Sequence, residues 1–286
     1  MPIYQSLKLQ NVSDQVFAEI DSAVMACSYA TQNRFGCLFD EQVYENDLAA
    51  RLRAEGLIVH TQVPLKLSFG GFEKSFYLDL VVNEMVYELK VVASLVGEHD
   101  AQALNYAMLQ NIRLVKLINF GKATVQGRLL RNALLNDDRY RPAIDTTGYK
   151  PLGTRCDELT AHLRSLIQDW GTHLNCRLYN DALVHQFGGE INCRHRLEVI
   201  ADGVRRGTHG VQQHDQNHSF VVTGFTKLQE NYHQHLRVLL RHIPSINGVQ
   251  WINFNHSRVE VTTIGPETES SSPHERLSAA PPQSNH

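Results

Sequence analysis

Apolar positions near the start of the chain recur at helical spacing. Val16, Phe17, Ile20, Ala23, Val24 and Cys27 fall at steps of three and four, which predicts an amphipathic helix over about 16–29 behind the cap candidate Ser13. After a polar break at Gln32, Asn33, Arg34 and Gly36, the positions of Val43, Leu48 and Leu52 predict a second helix over about 39–55, stopped by Gly56. The period then shortens. Strands are expected over about 57–67 and, beyond the Gly70-Gly71 turn, in the stretch 76–92, where two short runs rich in β-branched and aromatic residues are divided by Asn83-Glu84. A third helix over about 98–110 and a buried strand over 114–120 complete the order helix, helix, three strands, helix, strand. Such an order suggests an α/β fold with a mixed sheet flanked by helices.

The hairpin at 76–92 holds three charges within its apolar runs, Asp79, Glu88 and Lys90. Side chains alternate across a strand, so Glu88 and Lys90 share a face, and a two-residue turn at Asn83-Glu84 sets Asp79 opposite Glu88. On a solvated edge strand a Glu-x-Lys pair is ordinary. Buried without partners, each charge would cost several kcal/mol, so something must compensate them.

Bulk properties narrow the classes of function. A formal net charge of -3 over 286 residues speaks against nonspecific nucleic-acid binding by the whole surface, although the basic residues of 113–122 and 127–131 could form a local groove. Five cysteines without a Cys-x-x-Cys spacing suggest neither a disulfide framework nor a zinc ribbon. No apolar run approaches the roughly 20 residues of a membrane span, and no signal-peptide pattern opens the chain, so no membrane association and a cytoplasmic location are expected.

Four motifs share an order. Glu41-Gln-Val-Tyr44 lies in the second helix, Asp79 precedes Glu88-Leu-Lys90 in the hairpin, Gln102 and Tyr106 stand one turn apart in the third helix, and Ile118-Asn-Phe-Gly121 ends the following strand. Together they resemble the GxxExxY family of the PD-(D/E)xK nuclease-like superfamily over roughly 16–134. The Gln102 and Tyr106 pair also resembles the Gln-x-x-x-Tyr motif of the RecB-like branch. The glycine that names the family would stand three residues before Glu41, where this chain has Leu38; the nearest glycine is Gly36.

The resemblance implies a restriction-endonuclease-like fold whose sheet carries an acidic cluster. It implies Mg²⁺ or Mn²⁺ held by Asp79, Glu88 and Glu41, with the Leu89 carbonyl as a backbone ligand, because converging carboxylates need a hard cation between them. Lys90 would orient the attacking water or stabilise developing charge, and Gln102 and Tyr106 would position the substrate or the cluster. The expected partner is nucleic acid, DNA in the first place, and the expected function is phosphodiester hydrolysis. The alternative is a noncatalytic binding or assembly scaffold that keeps the fold. A homo-oligomer is compatible with either.

Beyond a nuclease-like domain over 1–135 and a polar linker over 136–153, a second domain over 154–264 echoes the first. Gly248-Val-Gln-Trp-Ile-Asn-Phe254 echoes the strand 114–120, Gln234 echoes Gln102 with Val238 in place of Tyr106, and Tyr179 set in register with Tyr44 puts Cys176 where the first half has Glu41. The strand region 211–225 contains no Glu-x-Lys. The expectation is a duplicated fold, arranged as a pseudo-dimer, whose second copy has lost the acidic site. Thirteen of the fifteen histidines fall in this half. A metal site using His214 and His218 is conceivable, but the polar run 207–217 is expected to be a loop of solvated histidines. The stretch 265–286 is expected to be a disordered tail.

Overall fold

The computed structural model describes residues 3–134, 138–227 and 229–265. The first half comprises β1 (Ile3–Gln5), α1 (Asp14–Phe35), α2 (Glu41–Ala54), β2 (Val59–Phe69), β3 (Phe72–Val82), β4 (Met85–Lys90), α3 (Gly97–Gln110), β5 (Leu114–Asn119) and β6 (Gln126–Arg131). Its strands lie in sequence order in one sheet, with β4 and β5 parallel and the other neighbours antiparallel.

Ser13 caps α1, its hydroxyl accepting from the Val16 N–H at 3.3 Å. The helix continues through the polar residues that predicted its end, because Gln32 is buried and its amide donates to the carbonyls of Phe120 and Lys122. Polarity here marks a tertiary hydrogen bond instead of a break. Asn83 and Glu84 have φ of 44° and 70°, as a type I′ turn requires, and they fix the β3–β4 register.

The second half begins with a single helical turn, Asp138–Tyr140, and continues through β7 (Ala143–Asp145), α4 (Cys156–Trp170), α5 (Cys176–Gln186), α6 (Gly189–Cys193), β8 (Arg194–Ala201), β9 (Val204–Gln213), β10 (His218–Thr223), α7 (Gln229–His242), β11 (Gly248–Asn255) and β12 (Arg258–Ile264). Its sheet has the order β7-β12-β11-β10-β9-β8, with β10 and β11 parallel. Part of the stretch expected to be a linker is therefore structural, since β7 pairs with β12 at the sheet edge. The expected loop 207–217 is corrected as well. Residues up to Gln213 form β9, because the Asp202-Gly203 turn, with φ of 53° and 70°, brings β9 back along β8 and backbone pairing needs no apolar side chains. The expected disordered tail lies, from residue 266, outside the described residues.

The two sheets fit a duplicated arrangement. Each follows its helices, two in the first half and three in the second, with an antiparallel hairpin, a third strand, a crossover helix and a strand parallel to the third, then a closing antiparallel strand. Particular contacts repeat too. Tyr44 stacks on Phe120 with ring centroids 4.7 Å apart and donates to the carbonyl of Gly36, eight residues back. Tyr179 stacks on Phe254 at 4.1 Å and donates to the carbonyl of Gly171, also eight back. The Asn119 side chain accepts from the Val92 N–H and donates to its carbonyl, and Asn253 does the same with Phe225.

The halves share an interior. Leu65, Leu67, Phe72 and Leu109 pack in one apolar cluster with Leu163, Trp170, Tyr179 and Phe254. Trp170 donates its indole N–H to the carbonyl of Ser68 at 3.1 Å. The buried Arg139 guanidinium donates to the carbonyls of Met108, Trp170 and Thr172, so its charge is spread over backbone acceptors from both halves. No helix among the described residues is long and apolar enough to cross a membrane.

Candidate active site

The hairpin charges lie where two strands part. The β3–β4 pairing runs from Val82 and Met85 to Leu80 and Tyr87 and stops there, one step before Asp79 would meet Glu88. The β2–β3 register, continuous on both sides, skips the pair Gln62 and Asp79, and Gln62 has φ of 49°. Backbone groups freed at this point turn to side chains: Asp79 Oδ2 accepts from the Leu89 N–H at 2.9 Å.

Glu88 is 1% exposed. Its Oε1 accepts from Lys90 Nζ and from Gln102 Nε2, each at 2.7 Å, while Oε2 is buried with no hydrogen-bond partner among the described residues. Gln102 Nε2 also lies 3.1 Å from the Tyr106 hydroxyl, so the one-turn spacing on α3 joins both residues to the carboxylate. Burial, followed by the neighbouring Asp79, pushes the Glu88 carboxyl up to about 8. Burial also opposes the charge of Lys90, yet the Glu88 carboxylate beside it prevails and holds the ammonium above its ordinary value.

From α2, Glu41 enters the same electrostatic field. Its carboxyl is pushed up to about 6 by burial, with Lys90 opposing and Asp79 and Glu45 adding to the rise. Glu45 was not foreseen. It stands one turn after Glu41, is 2% exposed, and accepts from Gln62 Nε2 at 2.5 Å, which itself reaches toward Asp79 Oδ1 at 3.5 Å. The i,i+4 spacing to Glu41 was the available signal, but Glu45 reads as an ordinary helix-surface residue until β2 is folded against it. Gln62 carried no local signal, because its role comes from the interrupted pairing opposite Asp79.

The structure thus links Asp79, Glu88, Lys90, Gln102 and Tyr106 directly or through one neighbour, with Glu41 and the Glu45–Gln62 pair on the α2 side. These groups fit a hard divalent cation in donor chemistry, and the partnerless Glu88 oxygen is what such an ion would satisfy. Among the described residues, no three His, Cys, Asp or Glu side chains already stand in an arrangement ready to hold a metal.

Pairing registers show what the second half has at the same places. Phe220 pairs with Gln212 as Tyr87 pairs with Leu80, and Thr223 lies beside Asn253 as Lys90 lies beside Asn119. On that register Val211 replaces Asp79, Val221 replaces Glu88 and Thr223 replaces Lys90. With Tyr179 matching Tyr44, Cys176 and Asn180 stand for Glu41 and Glu45.

Two further expectations change. The basic groove is largely neutralised: Lys116 pairs with Asp21, Arg113 and Arg131 with Asp14, and Arg128 with Asp100. The histidines are not all solvated. His214 is 1% exposed with neither ring nitrogen hydrogen-bonded among the described residues, its Nδ1 3.7 Å from Asp215, and it stacks 6.0 Å from His218, whose Nδ1 meets Asp215 at 2.8 Å. His214 lies in the connection after β9 and His218 opens β10, so their spacing is not that of a helix turn.

Residues 18–131 match the family model described as the PD-(D/E)XK nuclease superfamily. The matched segment runs from α1 to the last residue of β6 and includes the whole acidic cluster, while the second half lies beyond it. With the mixed sheet and its flanking helices, this defines a nuclease-like fold. No curated protein and no solved structure matches the chain.

Proposed function

We propose that the first half is a divalent-metal-dependent nuclease of the GxxExxY kind, hydrolysing phosphodiester bonds in nucleic acid, DNA in the first place. The observation that carries this reading is the Glu88 carboxylate, buried beside Asp79 with one oxygen bound by Lys90 and Gln102 and the other left without a partner. Asp79, Glu88 and Glu41 would hold Mg²⁺ or Mn²⁺, with the Leu89 carbonyl completing the protein's share. When bound, the ion supplies Lewis acidity and a water of lowered pKa. Lys90 stabilises negative charge as it develops on the phosphate. Gln102 fixes Glu88 Oε1, and Tyr106 buttresses Gln102.

The second half, in this reading, is a degenerate copy of the same unit. Its repeated Tyr–Phe stacks and Asn clamps support common descent of the two sheets, and Val211, Val221 and Thr223 leave it no acidic site. A noncatalytic nucleic-acid-binding or assembly scaffold is the second reading. It is favoured by the hydrogen bonds that Lys90 and Gln102 already make to Glu88 and by the lack of a ready three-ligand arrangement among the described residues.

Cleavage of labelled DNA and RNA with Mg²⁺, Mn²⁺ or EDTA decides between them. The nuclease reading expects metal-dependent cleavage that Asp79→Asn and Glu88→Gln abolish and Lys90→Ala reduces by about 10²- to 10³-fold. Cleavage that survives Asp79→Asn and Glu88→Gln would dismiss this site, and no cleavage of any substrate would favour the scaffold.

A further inference from the structure

Beside the acidic cluster, a cavity of about 440 Å³ opens between the two halves. One wall is the first half's α3, with Gln102, Asn105 and Tyr106, and Lys74 and Phe76 on β3; the opposite wall is the start of α5, with Asn175, Arg177 and Leu178. Gln102 belongs both to this wall and to the cluster, since its amide donates to Glu88. The cavity therefore begins where the scissile phosphate would sit.

We infer that this cleft binds the nucleotide next to the scissile phosphate, and that the second half takes part in nuclease function by supplying Arg177 as a phosphate-binding residue opposite Lys74. The inference rests on the nuclease reading of the Glu88 site. Three features support it. The floor is aromatic and apolar, with Phe76 and Tyr106 meeting edge to face at 6.0 Å and Leu178 beside them, which suits the face of a base. Amides of Gln102, Asn105 and Asn175 line the same space and match base edges. At the rim, Lys74 and Arg177 are exposed and make no ion pair among the described residues, unlike the basic residues of β5 and β6, so their charges remain for phosphates.

Two carboxylates also line the cleft, and they are unequal. Asp181 is offset by Arg194 at 3.4 Å, whereas Glu98 stands exposed in the first turn of α3 and opposes an incoming phosphate. The wall is held in place by the Asn175 N–H, which donates to Asn105 Oδ1 at 3.1 Å. Gln102, which lines the cleft and bonds Glu88, connects the cleft to the site, so a substrate seated on one meets the other.

The test is binding of a short fluorescein-labelled single-stranded oligodeoxynucleotide to the full chain in EDTA, where cleavage cannot occur, over a series of salt concentrations. Arg177→Ala and Lys74→Ala should each weaken binding several-fold and lower the salt exponent by about 0.7. Glu98→Gln should tighten it, and Arg206→Ala on β9 should leave it unchanged. In Mg²⁺, Arg177→Ala should raise KM more than it lowers kcat. Since Arg177 and Lys74 are exposed, thermal melting should show the variants folded. Wild-type affinity and salt exponent in both Arg177→Ala and Lys74→Ala would overturn the cleft while leaving the nuclease site standing. Failure of the wild-type chain to bind or cleave any oligonucleotide would overturn both.

Discussion

The two halves fit a duplicated arrangement and fill it differently. In each, a tyrosine stacks on a phenylalanine at the end of the parallel strand and bonds a carbonyl eight residues back, and an asparagine clamps the loop that follows the preceding strand. Yet where β3 and β4 part around Asp79, Glu88 and Lys90, the corresponding β9 and β10 carry Val211, Val221 and Thr223. The comparison separates what the fold needs from what chemistry needs. Stacking and backbone clamps suffice to hold the sheet. Buried carboxylates do not help it, because their desolvation costs more than apolar packing in the same places, and Lys90, Gln102 and the Leu89 N–H offset only part of it.

The largest effect on this comparison should come from the shared interior. Trp170, 1% exposed and bonded to Ser68 of the other half, anchors both units. Trp170→Ala should cost about 3–5 kcal/mol, and denaturant unfolding followed by tryptophan fluorescence and far-UV circular dichroism should stay a single transition. Separation into two transitions would show that the halves are independent domains. A smaller effect tests scaffold equivalence. Tyr44→Phe and Tyr179→Phe each remove one hydrogen bond to a carbonyl, and each should destabilise by about 1 kcal/mol. A large disparity between the two would break the symmetry.

A pH-dependent effect concerns a group that exists only in the second half. Burial, partly offset by Asp215, holds His214 down at about 4, with His218 and Arg155 also opposing its charge. The unfolded chain therefore takes up a proton near pH 6.5 that the folded protein refuses until about pH 4. This contribution to stability is complete above pH 6.5 and falls away as pH drops toward 4. The urea midpoint should show that decline, and His214→Leu should flatten it; an unchanged slope would place the pH dependence elsewhere.

Much of the first half was legible in the sequence because its periods are clean and its turns are specific. The Asn83-Glu84 turn alone fixes which residues face Glu88 and thereby brings Asp79 toward it. What was not legible depends on distant segments. Gln32 reads as a helix break until Phe120 and Lys122 present carbonyls to it. Glu45 and Gln62 acquire a role only because the β2–β3 ladder opens opposite Asp79. In the second half β9 lacks an apolar alternation, so backbone pairing made a strand that side-chain pattern did not announce. His214, polar in sequence, is enclosed by chain far from it in order, with Phe187 packed 6.2 Å away.

The central claim is that the chemistry lies in one half of a doubled scaffold. Calorimetric titration of the full chain with Mn²⁺ tests it most directly. Uptake should occur at the Glu88 site, disappear in Asp79→Ala and Glu88→Ala, and persist in Cys176→Ser, which alters the position matching Glu41 in the other half. Uptake that is indifferent to Asp79 and Glu88, or that is lost in Cys176→Ser alone, would contradict the account.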